Sequence, residues 1–207
     1  QTLNWDNIDV VRLTNDNGAT FTTLQAGTSA LTFNGGATAD TIIGTAGANT
    51  INAGAGADNI TGGAGADTFG SANNFGATGQ SVASTANNFT AAGIVAGETV
   101  TFGNGVDYIA DFSAAQGDKL DVVTAATAPT TLIGVATAAP LANGTSYIAY
   151  GTWNAATGVF TTAAAYAAGT AQDAIVVTGN GAQTAVTTTG VVVLDNLAAA
   201  LVAADFI

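Results

Sequence analysis

The sequence contains no cysteine, no histidine and no methionine. Without cysteine no disulfide can staple the fold, and without histidine the chain lacks the commonest general base and transition-metal ligand. Because methionine is absent, Gln1 is not a translation start, and we interpret the chain as processed or as a fragment of a longer protein. Few catalytic constellations can be built from the residue types that remain, so we expect these residues to have no enzymatic activity.

Basic side chains are also almost absent. Lys and Arg together number 2 against 14 Asp and Glu, and the formal net charge of the 207-residue chain is -12. Such a charge disfavours nucleic acid and anionic lipid as partners and suits cations. No stretch of transmembrane length lacks polar breaks, and the first residues do not resemble a cleaved secretory signal. The ligands present in quantity are carboxylate and carbonyl oxygens, which calcium prefers.

Glycine is abundant instead, and between Gly35 and Gly70 it recurs with a period of nine residues. The nonads GGATADTII, GTAGANTIN, AGAGADNIT and GGAGADTFG align without gaps. Their sixth position carries an acid or its amide, namely Asp40, Asn49, Asp58 and Asp67. Their eighth position carries a large apolar residue, namely Ile42, Ile51, Ile60 and Phe69. This is the G-G-x-G-x-D-x-U-x pattern, with U large and apolar, and it predicts a calcium-binding parallel β-helix.

Each part of the nonad has a physical role. The first six residues predict a tight turn, in which glycine allows positive φ or a close approach of backbone to an ion, and the last three predict a short strand with its apolar side chain inward. Two nonads complete one coil, which puts Asp40 and Asp58 on one side and Asn49 and Asp67 on the other. The apolar core is small, so we expect the coil not to hold together without ions. The alternatives are a disordered Gly/Ala/Thr linker and a dinucleotide-binding fingerprint, although no β-α-β unit surrounds these glycines.

The repeat resembles the repeats-in-toxin (RTX) calcium-binding β-roll of secreted bacterial proteins, although Thr38, Thr45 and Ala53 replace motif glycines and Asn49 replaces the Asp. In that family an ion takes two carbonyls and the Asp from one turn, and two carbonyls and the Asp from the turn stacked on it. The resemblance implies a first ion on Gly36, Thr38, Asp40, Ala53, Ala55 and Asp58. It implies a second ion on Thr45, Gly47, Asn49, Gly62, Ala64 and Asp67. Asn49 should make the second site the weakest, because a neutral amide offers less charge to a dication. Further ions, one coil along, would use Gly54, Gly56, Gly63 and Gly65.

A second segment with a family likeness follows the repeat. Residues 71–104 are polar and aperiodic, and we interpret them as a loop inserted into the roll, with a strand near its end. The next stretch, GVDYIADFSAAQGDKLDV, resembles the D-x-I-x-D-F-x-x-G-x-D-K-I-D-L segment that closes RTX β-rolls. The resemblance implies that Asp107 and Asp111 extend the calcium array. The alternative is a strand followed by a solvated acidic turn.

The remaining sequence predicts further β structure. Alternating runs in residues 1–34 predict strands that cap the first coil, and β-branched or aromatic runs in residues 123–207 predict antiparallel strands. Near the C-terminus, Leu194, Leu197 and Leu201 stand at helical spacing, which indicates either a short helix capped by Asp195 or Asn196 or simple packing of the leucines in a core. We therefore expect an all-β fold, with N-terminal strands over 1–34, a parallel β-roll over 35–122 and an antiparallel module with a short C-terminal helix over 123–207.

The chain end has a likeness of its own. VAADFI resembles the uncleaved C-terminal signal of proteins that leave bacteria through type I secretion, which implies a type I exporter as partner and an extracellular or cell-surface location. Low charge and the excess of Ala, Thr, Gly and Asn resemble bacterial surface-layer proteins. One hypothesis is therefore a calcium-ordered surface-layer or extracellular-matrix protein that self-associates into a lattice or fibre. The other is the secretion and folding module of an exported enzyme or toxin whose active part lies upstream.

Overall fold

The computed structural model describes residues 10–12, 20–22, 27–36, 38–70, 94–102, 106–121, 128–135, 139–179, 181 and 191–207. These residues form short β-strands and one 3-10 turn, and none of their helices is long and apolar enough to span a bilayer. In chain order the elements are β1 (Val10–Arg12), β2 (Thr20–Thr22), β3 (Thr32–Asn34), β4 (Thr41–Ile43), β5 (Thr50–Asn52), β6 (Asn59–Thr61), β7 (Thr68–Phe69), β8 (Thr99–Thr101), β9 (Asp107–Ile109), β10 (Lys119–Leu120), β11 (Thr130–Thr131), β12 (Ser146–Asn154), β13 (Val159–Thr162), β14 (Gln172–Thr178), β15 (Val191–Leu197) and the 3-10 turn (Ala203–Asp205).

The nonads form a parallel roll whose strands alternate between two sheets. One sheet has the order β1-β3-β5-β7-β10, and the other begins β2-β4-β6-β9. Thr32 pairs with Thr50, Thr41 with Asn59, and Thr50 with Thr68, so partners in the repeat lie 18 residues apart. An offset of 18 residues is two nonads, and the predicted coil of two nonads is therefore confirmed.

The roll continues beyond the inserted loop. Asn59 of β6 pairs with Tyr108 of β9, and Thr68 of β7 pairs with Lys119 of β10. Residues 107–120 thus supply the next coil, while residues 71–93 and 103–104 of the predicted loop lie outside the described residues. The strand predicted near the end of the loop is β8, and it pairs antiparallel with β13 rather than with the roll.

The C-terminal module is antiparallel and shares a sheet with the roll. Strand β12 pairs antiparallel with β13 and β14, and β14 pairs antiparallel with β15. The first of these pairs is a hairpin, with Asn154 opposite Val159. Strand β15 also pairs in parallel with β9, Val192 opposite Asp107. One ten-stranded sheet therefore runs from the roll into the module.

Apolar side chains of the roll and the module form one continuous core. Its buried members include Phe33, Ile42, Ile51, Ile60, Phe69, Ile109, Leu120, Ile148, Val176, Val192, Leu194 and Phe206. A second cluster covers the other face of the module sheet and takes alternate residues of the same strands, such as Ile175, Val177, Val191 and Val193. The middle of β14 and the first half of β15 are thus buried on both faces, which explains the apolar runs AIVV and VVVL.

The helix predicted from the leucine spacing is wrong, because Leu194 and Leu197 lie in strand β15. Gln172 pairs with Leu197 but Ala174 pairs with Leu194, so β15 carries one residue more than its partner at this point. Asn196, with φ of 52°, lies in this bulge. The extra residue turns Leu197 back to the core face, and a strand thereby acquires the i, i+3 spacing of a helix. The short helical element is the 3-10 turn further along the chain.

The chain end packs onto the last coil of the roll. Phe206 forms a parallel bridge with Leu120, and the Ile207 N–H donates to the Leu120 carbonyl at 3.0 Å. The Lys119 ammonium donates to the Ala204 carbonyl at 2.7 Å. Because Phe206 is only 1% exposed, its ring belongs to the core that runs through the roll.

Candidate metal centre

The sixth-position side chains of successive coils stack in two columns, one on each side of the roll. The first column contains Asp40, Asp58 and Asp107, all buried. Asp58 Oδ1 accepts the Asp40 N–H at 2.8 Å, and Asp107 Oδ1 accepts the Asp58 N–H at 2.9 Å. Asp58 and Asp107 therefore each use one carboxylate oxygen to join their coil to the coil before it.

The other oxygen of Asp58 lies in an environment that suits a cation ligand. Asp58 Oδ2 is buried and accepts no hydrogen bond from any described residue. Burial first, and next the negative charge of Asp107, raise the pKa of Asp58 to about 8, against the lowering effect of the Asp40 N–H. An ionised carboxylate is unfavourable in such a place unless a positive charge is beside it. Calcium supplies that charge and prefers oxygen ligands, so the residues of this column fit the ion.

The second column contains Asn49, Asp67 and Asp118. Asp67 Oδ1 accepts the Asn49 N–H at 2.7 Å, and Asp118 Oδ1 accepts the Asp67 N–H at 2.8 Å. Asp67 Oδ2 is buried and has no donor among the described residues, and burial raises the pKa of Asp67. Burial also raises the pKa of Asp118, to about 6.

Asp118 was not among the predicted site residues. Asp111 was among them, and its binding of calcium stays a prediction. Asp111 accepts the Gly62 and Gly63 N–H groups, one on each carboxylate oxygen, both at 2.8 Å. It thus caps the turn of the fourth nonad, while Asp118 holds the stacking position. The D-x-U triplet could have revealed this, because Asp118, Lys119 and Leu120 repeat the order acid, any residue, large apolar residue.

Close contact between stacked turns explains two of the motif glycines. Gly54 and Gly63 have φ of +99° and +100°. A Cβ at Gly54 would lie 2.1 Å from the Gly36 carbonyl oxygen, and one at Gly63 would lie 2.1 Å from the Thr45 carbonyl oxygen. Both of those carbonyls are predicted calcium ligands, so the glycines keep the neighbouring backbone in contact with the ligand-bearing turns.

The Asn49 side chain is surrounded by oxygens. Its Nδ2 donates to the Gly47 carbonyl at 2.8 Å, to Asp67 Oδ1 at 3.0 Å and to the Gly62 carbonyl at 3.1 Å. The Thr45 carbonyl lies 3.4 Å from the same nitrogen. The sequence predicted a weak ligand here, whereas the side chain directs a donor rather than an acceptor at these four oxygens.

Any ion in these turns would depend on backbone oxygens. The described residues contain no group of three or more acidic side chains that could hold a metal by themselves. The structure places the predicted carbonyl ligands in the turns between stacked strands. Which of them bind calcium stays a prediction.

Comparisons with known proteins agree with the geometry of a calcium-binding parallel β-roll. Residues 34–69 match the family model of the RTX calcium-binding nonapeptide repeat in four copies. No curated protein and no solved structure matches the chain significantly. The segment is thus an RTX repeat array, and such repeats bind calcium. The predicted RTX resemblance, the β-roll and the cofactor are confirmed.

Proposed function

We propose that the chain is a calcium-ordered structural domain of a secreted, self-assembling bacterial surface-layer or extracellular-matrix protein. The observation that carries the proposal is the shared sheet. Strand β6 of the nonads pairs with β9, and β9 pairs with β15 of the C-terminal module. These strands belong to one sheet, so calcium that orders the roll would also order β9, the strand on which β15 of the module pairs.

Calcium concentration would decide where the domain folds. RTX repeat proteins are typically secreted by type I systems. In the cytosol, where calcium is scarce, buried aspartates such as Asp58 and Asp67 oppose folding, and the chain stays loose enough to thread an exporter. Outside the cell, calcium modules work with dissociation constants of about 10⁻⁴–10⁻³ M. Binding there stabilises the folded state by mass action.

Self-association would use the sheet edge and the acidic surface. Strand β8 stands at one end of the ten-stranded order, with β13 as its neighbour among the described strands. Terminal strands can add strands of a second molecule edge to edge. A net charge of -12 would oppose such contacts, and calcium can bridge acidic neighbours and relieve that repulsion.

A calcium titration tests the proposal. Circular dichroism and light scattering would be followed together from chelator to about 10 mM calcium, a range that brackets extracellular affinities. We expect β-sheet signal to appear and particles to grow into sheets or fibres. Magnesium at equal ionic strength is the control, because it screens charge but demands a smaller, octahedral site. Growth with magnesium alone, or no growth with calcium, would contradict the assembly proposal.

A secretion and folding module of a larger exported protein is the second candidate. The observation in its favour is the docked chain end, where Phe206 is buried and bridges to Leu120. A signal in the last residues would be exposed to an exporter only before the roll folds, which places calcium-driven folding after export. Calcium-dependent folding to a stable monomer in the same titration would support this role.

A further inference from the structure

Asn49 takes the same position in its coil as the aspartates take in theirs. Its Oδ1 accepts the Leu31 N–H at 3.2 Å. Leu31 precedes Asn49 by 18 residues, as Asp40 precedes Asp58, whose Oδ1 accepts the Asp40 N–H. The side chain therefore joins two coils in the way that a carboxylate does.

The other polar atom of the side chain, Asn49 Nδ2, takes the position that Asp67 Oδ2 has in the next coil. A Cβ on Gly44 would lie 2.9 Å from Asn49 Nδ2, and one on Gly62 would lie 2.5 Å from Asp67 Oδ2. Gly44 and Gly62 are the first residues of the nonads to which Asn49 and Asp67 belong. Asn49 Nδ2 thus stands where the next coil has a buried carboxylate oxygen that no described residue satisfies.

The oxygens around Asn49 Nδ2 are those that a second ion would need. The Thr45, Gly47 and Gly62 carbonyls and Asp67 Oδ1 lie between 2.8 and 3.4 Å from the nitrogen. Calcium binds oxygen at 2.3–2.6 Å, so an ion with these ligands would occupy nearly the same volume as the amide nitrogen. The two cannot be present together.

Rotation of the amide would not open the site without cost. Oδ1 accepts the Leu31 N–H. The single proton of the Thr45 hydroxyl is shared between Oδ1 at 3.0 Å and the Ser29 carbonyl at 2.6 Å. Turning Oδ1 toward the four oxygens would direct Nδ2 at the Leu31 N–H, so two donors would face each other in a buried place. Asn49 itself is 1% exposed, and water therefore cannot easily repair the lost hydrogen bonds.

We infer that the Asn49 amide replaces the second ion, so that the turn pair of Thr45, Gly47, Gly62 and Asp67 is closed to calcium. Hydrogen bonds hold these two coils together on this side, whether or not calcium is present. On the opposite side the Asp40–Asp58 pair needs the ion. The inference rests on calcium binding by the repeat and does not depend on self-assembly.

Calcium stoichiometry tests this inference on the full chain. Wild type, Asn49→Asp and Asn49→Ala would be compared by isothermal titration with calcium, at protein concentrations that light scattering shows to be monomeric. We expect Asn49→Asp to bind one ion more per chain than wild type, because its Oδ2 would stand among four oxygens and require a cation. Asn49→Ala is the matched control, since it frees the same place without adding a carboxylate, and any ion that it gains should bind more weakly than the one gained by Asn49→Asp.

Equal stoichiometry for wild type and Asn49→Asp, with both folded by circular dichroism, would overturn the inference. If Asn49→Asp fails to fold even in calcium, a second variant tests whether an amide excludes the ion. Asp58→Asn places an amide in the first column and should bind fewer ions than wild type. An unchanged number of ions in Asp58→Asn would show that an amide does not exclude calcium, which would also overturn the inference.

Discussion

Protons and calcium should compete for the carboxylates of the first column. The stability of the domain should therefore change with pH in opposite directions with and without calcium. Asp58 is 2% exposed and lies below Asp107 in a stack of buried carboxylates. Its pKa is raised to about 8 from 3.8, chiefly by burial and next by the charge of Asp107. In calcium-depleted buffer the folded state therefore holds a proton that the unfolded chain has already lost at neutral pH.

The sign and the size of the effect follow from proton linkage. Between pH 4 and 8 the unfolded state binds fewer protons than the folded state, so stability falls as pH rises through this window. One unit of pKa corresponds to about 1.4 kcal/mol, and the shift of Asp58 sets an upper limit of about 6 kcal/mol, comparable with the whole stability of a small domain. The raised pKa of Asp118, about 6, acts in the same direction at lower pH. Calcium requires the ionised carboxylates, so in its presence stability should rise with pH.

Urea unfolding is followed by circular dichroism at intervals from pH 5 to pH 9. It measures how the free energy of unfolding changes with pH without calcium and with calcium. One series uses calcium-depleted buffer and the other a saturating calcium concentration. Asp58→Asn is the control, because it keeps the size of the side chain and removes its titration, and its slope in depleted buffer should be much shallower. A wild-type stability in depleted buffer that is flat, or that rises from pH 5 to pH 8, would refute the reasoning.

Two substitutions probe the turns and the chain end. Gly54→Ala should abolish the calcium-induced circular dichroism signal, because its Cβ would lie 2.1 Å from the Gly36 carbonyl oxygen. Gly158→Ala is its control, since Gly158 also has positive φ but open space around it, and it should cost only about 1–2 kcal/mol in urea unfolding. Phe206→Ala should lower the free energy of unfolding in calcium by about 3–5 kcal/mol, whereas Ile207→Ala, at a residue 48% exposed, should change it little. Equal effects within either pair would contradict the assigned contacts.

The periodic part of the fold could be predicted because one chemical pattern fixes both register and burial. The nonad places Ile51 and Ile60 inward and sets partner strands two nonads apart. Where an insertion or a bulge interrupts the period, the prediction fails. Asp118 was missed because its coil lies 51 residues after that of Asp67 rather than 18, and Leu197 suggested a helix because a bulge gives β15 an extra residue.

The two columns differ because the second has an amide, Asn49, where the first has a carboxylate. The sequence shows this difference but not its effect on the calcium site. Charge alone ranks Asn49 as a poorer calcium ligand than Asp58, which gives a weak site. The structure shows in addition which atom faces the carbonyl oxygens. Asn49 Nδ2 donates to them, whereas Asp58 has an acceptor oxygen at the equivalent position of the first column. A donor satisfies carbonyl oxygens, and an acceptor among them requires a cation, so the turn pair around Asn49 is complete without the ion and the Asp40–Asp58 pair is not. Calcium then acts on two coils that are already joined on the Asn49 side, which lowers the number of contacts that the ion on the opposite side must order.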